Sequence, residues 1–107
     1  MPAKDVDIKL QNGIPVAIPD PVRLNHRQGH TVMWHNQLNE EVTITFDNGT
    51  PFDHGDNPYH IPAGKHRDSG AIKVKPGTNP WKYTIKTASG KVNDPQVIVQ
   101  DIDGGGD

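Results

Sequence analysis

Apolar and polar residues alternate with period two along several short runs of this chain. Trp81, Tyr83 and Ile85 alternate with Lys82, Thr84 and Lys86, and after a polar loop Val97-Ile98-Val99 reads as a second strand. Successive side chains of an extended strand point to opposite faces, so this alternation predicts half-buried β-strands. Val6, Ile8 and Leu10 alternate in the same way with Asp7 and Lys9, up to the turn signal Asn12-Gly13. Ile14-Pro15-Val16-Ala17-Ile18 is expected to continue that strand as an edge segment, because proline cannot donate to a central ladder.

Val22 and Leu24 form a short strand, followed by a polar turn from Asn25 to His30 built around Gly29. Thr31 to Asn36 places Val32 and Trp34 on one face and Thr31, Met33 and His35 on the other. Glu41 to Phe46 turns Val42, Ile44 and Phe46 inward, and the two runs are expected to pair as an antiparallel hairpin. Residues 47–66 are rich in Gly, Pro, Asn and Asp and read as a long irregular segment whose Phe52, Tyr59 and Ile61 tuck against the core. Asp68 to Val74 is expected to form another strand through Ala71, Ile72 and Val74. The predicted core comprises Val32, Trp34, Val42, Ile44, Phe46, Trp81, Tyr83, Ile85, Val97 and Val99. Short strands with turns between them imply an all-β, two-sheet antiparallel sandwich of Greek-key type, a single domain over residues 1–100 with a flexible Gly/Asp tail at 101–107.

Composition fits that class. Eleven Gly and ten Pro in 107 residues leave no room for long helices, and 32% hydrophobic residues suffice for one modest core. A net charge of −2 with interspersed signs gives no nucleic-acid footprint, and two each of Trp, Tyr and Phe are few for base stacking. The absence of Cys removes disulfides, thiolate ligands and a Cys nucleophile. No run approaches the roughly 20 apolar residues that span a bilayer. The first residues lack the apolar core of a secretory signal, so the expected location is cytoplasmic, or periplasmic as a mature form whose leader has been removed.

The motif order adds a resemblance. Gly29-x-x-Val32-x-Trp34-x-Asn36, Val42-x-Ile44-x-Phe46, Ile61-Pro62-Ala63-Gly64, Pro76-Gly77 and Trp81-x-Tyr83 together resemble the cupredoxin pattern, over roughly Val22 to Val99. That family consists of Greek-key β-sandwiches, and its blue-copper members carry single electrons on a copper held by two His, one Cys thiolate and a weak axial Met. The resemblance puts Val42 at the first His position and Ile85 at the Cys position. The second His and the Met belong in the following loop, where Lys86 to Gln96 supplies neither. Type 1 copper and electron transfer are therefore excluded. Asn93-Asp94-Pro95 before the last strand is similar to small bacterial members without copper ligands, and Val42 and Ile85 are expected to fill the metal's space with hydrocarbon.

Six His remain to be assigned. Imidazoles can bind Cu(II), Zn(II) or Ni(II) without a thiolate, and the densest constellation is His54, Asp56 and His60 on one loop, with His66 beyond it. His26 and His30 flank a turn and could converge with His35, which is expected on an outward face beside Thr43 or Thr45. Ser69 and Ser89 match no nucleophile elbow and suit turns, so no enzyme activity is expected. Outward-facing Met33, among Thr31, Thr43 and Thr45, could pair with a second copy as a homo-oligomer. The expected function is a copper-free binding or structural module with no cofactor, whose partner is a protein or small ligand. A His-based divalent-metal binder using His54, Asp56, His60 and His66 is the alternative.

Overall fold

The computed structural model describes residues 3–53, 57–78 and 80–100. Its strands are β1 (Ala3–Gln11), β2 (Ile14–Ile18), β3 (Val22–Asn25), β4 (Thr31–Asn36), β5 (Val42–Thr45), β6 (Tyr59–Ile61), β7 (His66–Asp68), β8 (Trp81–Lys82), β9 (Thr84–Thr87), β10 (Val92–Asn93) and β11 (Gln96–Gln100). The one helical piece among these residues is a 3₁₀ turn at His26–Gln28, closed by Gly29 in the left-handed conformation. The protein is all-β, as the period-two runs predict. The expected tail at 101–107 lies outside the described residues.

The strands form three sheets, ordered β2-β1-β4-β7, β10-β9-β5-β6 and β3-β11-β8. Two pairs are parallel, β1 with β4 and β3 with β11, and the other pairs are antiparallel. This corrects the expectation of two wholly antiparallel sheets. The chain leaves β1, passes through the β2 hairpin and β3, and comes back beside β1 in the same direction as β4. Asn12 and Gly13 both take positive φ at the β1–β2 turn, as a tight hairpin with the right-handed twist of its strands requires. Ile14–Ile18 therefore folds back as an edge strand instead of extending the first one.

Three further expectations change. β4 and β5 do not pair, because Asn36 ends β4 and the connection crosses to the second sheet, where β5 lies between β6 and β9. The run from Trp81 is split at Tyr83. β8 joins the third sheet and β9 the second, and between them the Tyr83 N–H donates to the Pro95 carbonyl at 3.0 Å. The strand placed at Asp68 to Val74 lies earlier, at His66–Asp68, with Ile72 contributing only an isolated bridge to Phe52.

All three sheets turn apolar side chains into one core. Every predicted core residue is buried except Trp81, which is half-buried at its rim. At the centre the Trp34 ring lies 5.0 Å from Tyr59, 5.6 Å from Tyr83, 6.2 Å from Phe52 and 6.3 Å from Phe46, in tilted and edge-on arrangements that suit aromatic quadrupoles. The polar atoms brought in with these rings are satisfied. The Trp34 indole N–H donates to the Tyr83 hydroxyl at 3.3 Å, and the Tyr59 hydroxyl donates to the Ser69 carbonyl at 2.7 Å. Ser69 is buried and exchanges two bonds with Val32, backbone to backbone at 2.8 Å and backbone to hydroxyl at 2.9 Å, so its role is to extend the β4–β7 ladder.

Two predictions follow from this interior. Trp34→Ala or Phe46→Ala should cost about 3–5 kcal/mol in urea denaturation, the range for truncating a packed aromatic; a loss under about 1 kcal/mol would contradict the packing. Burial pushes the Tyr59 phenol up to about 12, a bond with Thr50 offsetting part of the effect and the Asp68 charge adding to it. Burial likewise pushes Tyr83 up. The unfolded chain ionises its tyrosines near 10, so this part of the stability is whole below pH 10 and is lost as pH rises toward 12. Tyrosinate absorbance should therefore appear together with loss of the β-sheet circular dichroism, whereas ionisation near pH 10 with the fold intact would count against it.

Candidate functional site

Two places bear on chemistry: an interior position where copper is excluded and hydrocarbon is expected, and the set of His residues that forms the alternative metal reading. The first is the interior position assigned to a metal by the family resemblance. Val42 and Ile85 sit on neighbouring antiparallel strands, Val42 opposite Thr87 and Ile44 opposite Ile85, so the two are diagonal neighbours on the inward face. Both are fully buried. Ile61 lies opposite Val42 on the other flank. This donor set is hydrocarbon and does not fit a copper ion.

Asn36 holds this end of the fold closed. Its side-chain amide donates to the carbonyls of Glu40, Ile61 and Pro62 at 2.8, 3.0 and 3.2 Å, and its carbonyl accepts from Leu38 N–H at 3.0 Å. One buried amide thus ties the β4–β5 crossing to the end of β6. Glu40 continues the closure by accepting from the Ser89 backbone at 2.8 Å and hydroxyl at 3.1 Å, which pins the loop after β9. Ser89 is a loop clamp here.

The second place is the His set. His54 and Asp56 lie outside the described residues. His60 is exposed on β6, opposite Thr43, with Nδ1 4.0 Å from Glu41. His66 is exposed on β7, in a different sheet from His60. Among the described residues no three His, Asp or Glu side chains converge as a metal-holding group. His26 is exposed in the 3₁₀ turn and His30 is buried, its Nδ1 accepting from the Asn25 backbone at 2.9 Å and its Nε2 lying 2.9 Å from Gln28 Oε1. These two do not join His35.

His35 instead meets His66. β4 and β7 place them directly opposite one another, with ring centroids 5.8 Å apart at 40°. On the other side, Asp5 of β1 puts Oδ1 2.8 Å from His35 Nε2. The expected neighbours Thr43 and Thr45 belong to the second sheet. The alternation of β1 and β4 already sends Asp5 and His35 outward, and β7 exposes His66 beside them; what the alternation does not contain is the register that sets them side by side.

One surface cleft of about 350 Å³ lies among Asn48, Gly49, Thr78, Pro80, Trp81 and Lys82. The Trp81 indole N–H is buried there without a hydrogen-bond partner among the described residues. No helix among them is long and apolar enough to cross a membrane. Neither a model of a known protein family nor a curated protein matches this chain.

Replacing Asn36 with Ala should strand the buried Ile61 carbonyl and the partly buried Glu40 and Pro62 carbonyls, and cost on the order of 3 kcal/mol in chemical denaturation. Asn36→Asp, which keeps the acceptor for Leu38 and loses the donors, should cost a similar amount. Near-wild-type stability for both would show that the amide does not hold the crossing.

Proposed function

We propose that the chain is a copper-free, cupredoxin-like module of Greek-key type that binds or scaffolds a partner and carries out neither electron transfer nor catalysis. The observation that carries this reading is the fully buried Val42 and Ile85, packed where the family pattern places a His and a Cys. Hydrocarbon there contributes to folding through burial, about 25 cal/mol per Å² removed from water, and offers no lone pair to a metal. Ser69 and Ser89, the serines in turn motifs, are engaged in backbone bonding and clamping, which leaves a non-catalytic role as the simplest use of the scaffold.

Restoring ligand chemistry tests the correspondence. Val42→His combined with Ile85→Cys, on strands that already set the two positions diagonally, should take up Cu(II) and develop a thiolate-to-copper charge-transfer band while keeping its β-sheet circular dichroism. A folded double variant that binds copper only as the parent chain does, without that band, would separate this fold from the family.

A further inference from the structure

We propose that His35 and His66 form a two-imidazole site for a divalent transition-metal ion on the outer face of the first sheet, with Asp5 as its positioning residue. The register makes the pair close. Asn36 N–H donates to Lys65 O at 2.8 Å and Ser69 N–H to Val32 O at 2.8 Å, so the hydrogen-bonded positions of the β4–β7 ladder are Asn36 with Lys65 and Val32 with Ser69. His35 and His66 fall between them as a non-hydrogen-bonded pair, the kind whose side chains lie nearer each other. Their rings are already 5.8 Å apart between centroids. Both face solvent, so small rotations bring one nitrogen of each to a shared ion with bonds of about 2.0–2.1 Å.

Asp5 decides which nitrogen is used. A carboxylate only accepts, so His35 Nε2–H donates to Asp5 across 2.8 Å and the lone pair stays on Nδ1. This is the arrangement in which a carboxylate fixes the tautomer and raises the basicity of a metal-bound imidazole. Asp7, in register with His35, and Asp68, two residues beyond His66 on β7, add negative charge around the pair. Imidazole nitrogen selects Zn(II), Ni(II) or Cu(II) over hard oxygen-seeking cations, and water completes the coordination. A bound ion would fasten the edge strand β7 to β4. The site does not depend on how the interior is read.

Zn(II) titration of the tag-free full chain tests it, by calorimetry and by imidazole resonances in two-dimensional NMR. One-to-one binding is expected, with the His35 and His66 resonances moving first and a rise in melting temperature. His35→Ala or His66→Ala should each weaken binding at least about ten-fold, and Asp5→Asn by about ten-fold, the usual cost of losing a partner that positions a ligand. All three positions are at the surface, and circular dichroism verifies their folding. No binding, binding unchanged in His66→Ala, or first shifts at other histidines with loss in His60→Ala would overturn the proposal. The resonance order in the unmodified chain decides the matter even where a variant fails to fold.

Discussion

Everything in this fold depends on seating one indole between the sheets. Trp34 comes from β4 in the first sheet, yet its ring lies against Tyr59 of β6 in the second sheet, Phe46 and Tyr83 beside that sheet's strands, and Phe52 from the connection between β5 and β6. Five of the six aromatic side chains are thereby committed to a single cluster, and the sixth, Trp81, sits at its rim. In a chain with 32% hydrophobic residues, no second cluster of that size is available. The indole also imposes a polar condition, because its N–H must find an acceptor inside the core. Tyr83 meets it, and Tyr83 can do so because the chain leaves the third sheet and enters the second at that residue.

The same economy explains how the chain closes around Val42 and Ile85. Val42, Ile61 and Ile85 supply hydrocarbon, and Asn36 supplies the donors that the adjoining loop carbonyls need. An interior filled in this way is a dry wall between sheets. On the outer face of the first sheet Asp5, His35 and His66 line up across three strands.

Alternation made much of this legible, and long-range register was what it lacked. The runs at Val6–Leu10, Thr31–Asn36 and Val97–Val99 carry period two, and the inward residues they name are buried apart from Leu10 at the strand's outer end. Period two says which way a side chain points and nothing about which strand lies beside it. Hence β4 and β5 read as a hairpin, although Asn36 turns the chain across to another sheet. Proximity along the chain groups His66 with His60, whereas β7 carries it to His35. The Trp81–Ile85 run reads as continuous because a change of sheet at Tyr83 leaves the alternation intact. Ser69 read as a turn residue, since its bonds to Val32 connect positions far apart in sequence.

Hydrogen exchange at the Trp34 indole proton, followed by NMR, tests the central claim most directly. If this ring is locked between the sheets with Tyr83 as its acceptor, its N–H exchanges only through global unfolding. Its protection then equals the unfolding free energy measured with denaturant, and falls with it as denaturant is added. Exchange orders of magnitude faster than global unfolding, insensitive to denaturant, would mean that the core opens locally around Trp34 and would contradict the account.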